Sequence, residues 1–70
     1  MRAVRTGDAV ISRKKIGGFI REEVPAGTTG EVVKAPWLGP VHVAFRVYDI
    51  WHGQRVITVQ VQPDEIAAIG

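Results

Sequence analysis

Val24-Pro25-Ala26-Gly27-Thr28-Thr29-Gly30-Glu31-Val32-Val33 is the stretch of this sequence that decides the fold. Pro25 holds φ near the value that the second position of a turn requires, and Gly27 and Gly30 permit backbone angles that other residues avoid. The β-branched residues that follow favour a strand. A second turn-then-strand unit lies upstream at residues 7–11. Two such units in the first half of the chain predict a small, strongly bent β-sheet.

The chain has 70 residues, which predicts one domain over residues 1–70, with residues 1–6 as a flexible N-terminus. Chains this short bury only about 60% of their extended surface, so a disulfide, a metal or a partner commonly supplements the core. Cysteine is absent, which excludes disulfides and thiolate metal sites. His42 and His52 are too few for a His-based zinc site and are expected at the surface. The remaining sources of stability are an efficiently packed closed barrel, a partner, or both.

Hydropathy and charge limit the possible cellular locations of the protein. No apolar run approaches the ~20 residues of a membrane span, and the basic N-terminus lacks the apolar region of a signal peptide. With the absence of cysteine, this predicts a cytoplasmic protein without membrane contact. The net charge is +2, but residues 1–21 carry six basic side chains and one acid, whereas residues 22–70 carry three and six. This asymmetry predicts a basic patch if the fold keeps the two halves apart.

The hydrophobic pattern predicts five strands and no long helix. Strands are expected at residues 8–12, 29–35, 41–48, 54–61 and 66–69, with a long loop over residues 13–28. Pro63-Asp64-Glu65 suits a single helical turn before the last strand, with proline early and acids near the N-terminus. The third and fourth strands alternate apolar and polar residues, so one face of each belongs in the core. The expected core is Val10, Ile16, Phe19, Val32, Val43, Phe45, Val47, Ile57, Val59, Val61 and Ile66.

This order of elements, from Gly7 to Ile69, resembles the SH3-like small barrel. The implied fold is all-β, a five-stranded SH3-like barrel with a long first loop and one short helical turn before the last strand. Residues 7–10 and 27–32 are similar to the KOW-type barrels of ribosomal proteins and transcription factors, which contact RNA or protein. With residues 48–51 and 59–66 they also look like the barrels of nitrile hydratase β subunits and of a small photosystem I subunit, which are docking modules. These likenesses imply a non-catalytic binding module that acts in an oligomer or a larger complex and needs no cofactor.

A further likeness implies an enzyme as the alternative. Three segments resemble the plasmid-type (type B) dihydrofolate reductases, short SH3-like chains that form a tetramer around one pore: Gly7-Asp8-Ala9-Val10, Arg13-Lys14-Lys15-Ile16-Gly17 and Val59-Gln60-Val61-Gln62-Pro63. The resemblance implies that Gln60 and Val61 line a pore for NADPH and dihydrofolate, and that Lys14 or Lys15 attracts these anions. Gln62 departs from the family's pattern, because it stands where that family has tyrosine.

Three sets of residues are candidate contact surfaces. The basic set is either a solvated loop or a contact for nucleic acid or another anion, and the aromatic set either caps the core or grips bases or a peptide. The strand-face set carries no charge, which predicts a protein contact, self-association or a pore wall. No catalytic or metal-binding residue is assigned. The sets are Arg13, Lys14, Lys15 and Arg21; Trp37, Tyr48 and Trp51; and Thr58, Gln60, Val61 and Gln62. The Arg13-Lys14-Lys15 loop is expected to form one contact surface with Trp37 and Trp51.

Overall fold

The computed structural model describes residues 4–17, 22–51 and 53–69. They form an all-β fold with a long first loop and one 3₁₀ turn before the last strand, as predicted, and each predicted bound holds to within one residue. The strands are β1 (Ala9–Ser12), β2 (Thr29–Lys34), β3 (Val41–Asp49), β4 (Gly53–Val61) and β5 (Ile66–Ala68), and the 3₁₀ turn is Pro63–Glu65.

All five strands lie antiparallel in one sheet with the order β4-β3-β2-β1-β5. The sheet is not closed into a barrel, because no ladder joins β4 to β5 among the described residues. β4 has nine residues and β5 has three, so β5 is too short to cover the edge of β4. β4 and β5 are therefore the two edges of the sheet.

The core confirms the predicted pattern wherever it is described. All the predicted core residues that the structure describes are buried. Phe19, the remaining member of the predicted core, lies outside the described residues. Val24 joins the buried core, although its position beside Pro25 had predicted a turn. Ile16 and Val24 exchange two backbone hydrogen bonds, of 2.9 and 2.8 Å between nitrogen and oxygen. Both ends of the long loop are thereby held against the core.

Ser12, the last residue of β1, holds the turn that precedes β2. Its hydroxyl donates to the carbonyl of Pro25 (2.8 Å) and accepts from the N–H of Thr28 (2.9 Å). Two backbone bonds reinforce this contact, from the N–H of Gly27 to the carbonyl of Ser12 and from the N–H of Ser12 to the carbonyl of Thr28. Ser12 is buried, and no buried side-chain polar atom of the described residues lacks a partner. We call these contacts the Ser12 turn.

The two glycines of this region serve different purposes. Gly27 has a φ of 84°, as the turn prediction required. Gly30 is needed for close approach instead, since a Cβ there would lie 2.7 Å from the carbonyl oxygen of Ala44 and 2.9 Å from a ring carbon of Phe45. β2 therefore passes so close to β3 that no side chain fits between them.

Candidate binding groove

A groove of about 710 Å³ lies beside β5. Its walls come from the segment after β2, the start of β3, the 3₁₀ turn and β5, and most of them are apolar. Among the described residues that line it, Arg13 is the single charged side chain. The lining residues are Val4, Arg13, Ala35, Pro36, Trp37, Val41, Pro63, Ile66, Ala67 and Ala68.

The outer wall is built by the loop between β2 and β3. Pro36 lacks an N–H and cannot extend the β2 ladder, so the chain leaves the sheet there. Ala35 and Val41, near the two ends of this loop, pack against the core. Trp37 lies between these anchors and is 93% exposed. The loop thus presents a large apolar ring to solvent from a backbone that is held on both sides.

The basic run is divided among three environments. The N–H of Arg13 donates to the carbonyl of Glu65 (2.8 Å), which holds Arg13 beside the 3₁₀ turn and the groove. Lys14 pairs with Asp64 at 3.3 Å, and Lys15 pairs with Glu23 at 3.7 Å. These side chains are all more than half exposed, so such pairs stabilise the fold little. The acids nevertheless offset the lysine charges locally.

Arg21, the last residue of the predicted basic set, lies outside the described residues. Arg13 is therefore the member of that set that the structure brings to Trp37. The sequence predicted one contact surface made of the Arg13-Lys14-Lys15 loop with Trp37 and Trp51, and of these residues Arg13 and Trp37 line the groove.

The other predicted aromatic residues lie on a separate surface at the end of the β3–β4 hairpin. Tyr48 is 75% exposed and Trp51 is 83% exposed, and neither lines the groove. Arg46 and Arg55, on the two strands of this hairpin, are also exposed. Neither tryptophan caps the core, so contact with bases or a peptide is the alternative that stays a prediction. Arg46 lies on the same face of the hairpin as Tyr48, whereas Arg55 lies opposite Val47 on the other face. We call Arg46, Tyr48 and Trp51 the hairpin surface.

The predicted strand face is divided by the alternation of β4. Thr58 and Gln60 are exposed, as is Gln62 just beyond the strand, whereas Val61 is buried in the core. Glu22, at the returning end of the long loop, lines a shallow cavity with Thr58 and Gln60. A pore would need this face from several chains, so the reductase alternative stays a prediction that molecular mass and NADPH binding would test.

Other kinds of site find no support in the described part of the chain. Its His, Asp and Glu side chains form no cluster of three that could hold a metal ion. None of its segments is a helix with the length and apolarity needed to cross a bilayer. No protein-family model, curated protein or solved structure matches the chain. The case for the groove therefore depends on its own geometry.

Proposed function

We propose that this protein is a small non-catalytic binding module that holds an extended segment of a protein partner in the groove beside β5. The observation that carries this proposal is that Arg13 and Trp37, from different loops, line one largely apolar groove. Apolar concave sites with a few placed polar groups are typical binding sites. Tryptophan and arginine are also enriched among the residues that dominate binding energy at protein interfaces.

The exposure of Trp37 supports a partner rather than a structural role. An aromatic side chain buries roughly 150–250 Å² when it packs fully, and at ~25 cal/mol per Å² this corresponds to several kcal/mol before the costs of association. The core anchors at Ala35 and Val41 lower the ordering cost, because the loop is held before a partner arrives.

The same proposal includes the setting of the module. The strand order and the 3₁₀ turn support an SH3-like fold, and the lack of cysteine supports a cytoplasmic location. The module acts within a larger complex, in which the partner covers the groove.

Selection from a displayed library of random peptides tests this function. The wild-type chain should enrich peptides that lose roughly thirtyfold in affinity on Trp37→Ala, the scale of an interface hot spot of about 2 kcal/mol. Trp51→Ala is the matched control, because Trp51 is similarly exposed but lies away from the groove. Failure to enrich any peptide, or enriched peptides that bind Trp37→Ala as tightly as wild type, would contradict the proposal.

Binding of single-stranded nucleic acid is a second candidate, favoured by the hairpin surface. Its two exposed rings can stack on bases, and Arg46 beside them can contact a phosphate. Anisotropy of a labelled oligothymidylate should then rise on titration and fall steeply with salt, since each neutralised phosphate releases counterions. Trp51→Ala should weaken binding and Trp37→Ala should not. No binding at about 50 mM salt would rule this candidate out.

A further inference from the structure

The groove follows the open edge of β5 rather than one of its faces. Successive residues of a strand point to opposite faces, so a groove over one face would contact alternate residues. All three residues of β5 line this groove. β5 is also the outermost strand on its side of the sheet. Its free edge is therefore part of the groove wall.

The ladder with β1 determines which backbone groups of β5 face that edge. The N–H of Ile69 donates to the carbonyl of Ala9 (3.0 Å), and Ala67 lies opposite Ile11 in the same register. Residue pairs that exchange hydrogen bonds alternate with pairs that do not. Ile11 and Ala67 are therefore such a bonded pair, as are Ala9 and Ile69.

It follows that Ile66 and Ala68, on either side of Ala67, direct their N–H and C=O groups away from β1. In the described ranges, no backbone bond outside the ladders reaches Ile66 or Ala68. A row of outward N–H and C=O groups is a template for another strand. The edge that borders the groove can thus accept the backbone of an extended peptide.

The wall formed by Pro36 and Trp37, together with Arg13, limits the chemistry of that peptide. Pro36 cannot donate a backbone hydrogen bond, and Trp37 offers an apolar ring, so this wall favours apolar side chains. Arg13 is the one charged side chain that the described part of the chain contributes to the lining, and its planar guanidinium suits a carboxylate. The groove therefore complements an extended, apolar segment that carries an acid.

Building on the proposed peptide-binding function, we infer that the partner adds a β-strand to β5. Alternate apolar side chains of the added strand face Trp37 and Pro36, and an Asp or Glu lies beside Arg13. Main-chain hydrogen bonds to Ile66 and Ala68 give affinity, whereas the apolar wall and Arg13 give specificity.

Backbone N-methylation of a selected peptide tests this binding mode. Each N-methyl group removes one donor, so affinity should fall about tenfold at alternate positions and little at the positions between them, since a tenfold change equals about 1.4 kcal/mol. Loss without a two-residue period would overturn strand addition, while the dependence on Trp37 would still support the proposed function. If the selection enriches no peptide, both strand addition and the proposed peptide-binding function are contradicted.

The acid is tested by pairing Arg13→Gln with replacement of the peptide's acid by its amide. Each single change should weaken binding about tenfold, and the second change should cost little once the first is made. Lys34→Gln is the matched control, because Lys34 is exposed and does not line the groove. Equal losses with Lys34→Gln, or full additivity of the two changes, would contradict a contact between Arg13 and the acid.

On the protein, Ala68→Pro removes an outward N–H, whereas Ala67→Pro removes one that bonds β1. Ala68→Pro should keep the circular dichroism spectrum and lose peptide affinity about tenfold, and Ala67→Pro should lose stability. A folded Ala68→Pro chain that binds normally would overturn the inference. If Ala68→Pro does not fold, the N-methyl peptides, measured on the wild-type chain, decide whether a strand is added.

The wild-type chain could also form a dimer through this edge. A dimer that dissociates on peptide addition would show that a second copy and the peptide use the same edge. A dimer that prevents peptide binding would overturn the inference.

Discussion

The Ser12 turn and the groove differ in what their polar and apolar groups contact. In the Ser12 turn, a buried hydroxyl has two hydrogen-bond partners and the backbone adds two more bonds. In the groove, Trp37 is 93% exposed and the edge of β5 directs backbone groups outward. The comparison suggests that stability is concentrated in the first region and binding capacity in the second. Substitutions should therefore separate the two properties.

The largest expected effect on stability is at Gly30. Gly30→Ala places a Cβ 2.7 Å from a backbone oxygen, so β2 or β3 must move, at a cost of roughly 3 kcal/mol. Gly27→Ala meets no atom within 4 Å and should cost about 1 kcal/mol, through its positive φ alone. Urea unfolding followed by circular dichroism measures both. The reverse order would contradict the close-approach interpretation.

Ser12→Ala should have the next largest effect. It leaves the N–H of Thr28 without its acceptor at a partly buried position, which should lower the free energy of unfolding by about 2 kcal/mol. Thr58→Ala, at an exposed strand position, is the control and should change stability by less than about 0.5 kcal/mol. Similar losses in the two variants would mean that Ser12 does not hold the turn.

Trp37→Ala should change stability by less than about 0.5 kcal/mol, because little of its surface is buried in the chain alone. Its effect on a selected peptide should be far larger, as proposed above. Thermal unfolding with and without the peptide separates the two terms. A large loss of stability without peptide would show that Trp37 stabilises the fold, and it would contradict the separation of stability from binding.

The smallest expected effect is at Lys14. Its pair with Asp64 is largely exposed, so Lys14→Ala should alter stability by a few tenths of a kcal/mol at most. Its effect on peptide affinity should be smaller than that of Arg13→Gln, since Lys14 does not line the groove. Isothermal titration of both variants sharpens the distinction within the basic run. A larger loss of peptide affinity with Lys14→Ala than with Arg13→Gln would mean that Lys14, and not Arg13, contacts the acid of the peptide.

Much of the fold could be predicted because strands have a local signature. The alternation in residues 41–48 predicts both the strand and its buried face, and Val43 and Phe45 are indeed buried. Val24 was missed because it directly precedes Pro25, where the turn signal hides its bridge to Ile16. The open sheet was missed because the pairing of edge strands depends on distances between segments far apart in the chain.

The candidate site was predictable only in part. Arg13 and Trp37 carry conspicuous side chains, but their meeting in one groove depends on how the loops fold over the sheet. Ala67 and Ala68 gave no signal, because the proposed role of β5 belongs to its backbone. Pro63 was predicted to begin the helical turn, and the structure shows that it also lines the groove, together with Pro36.

The proposal that Trp37 and the edge of β5 form one binding site is tested most directly by amide NMR of the wild-type chain during titration with a selected peptide. The Trp37 indole and the amides of Ile66 and Ala68 should shift together, and exchange of these two amides with solvent should slow. The Ala67 amide, already bonded to β1, should keep its exchange rate. Shifts confined to the hairpin surface, or unchanged Ile66 and Ala68 amides at saturation, would contradict the proposal.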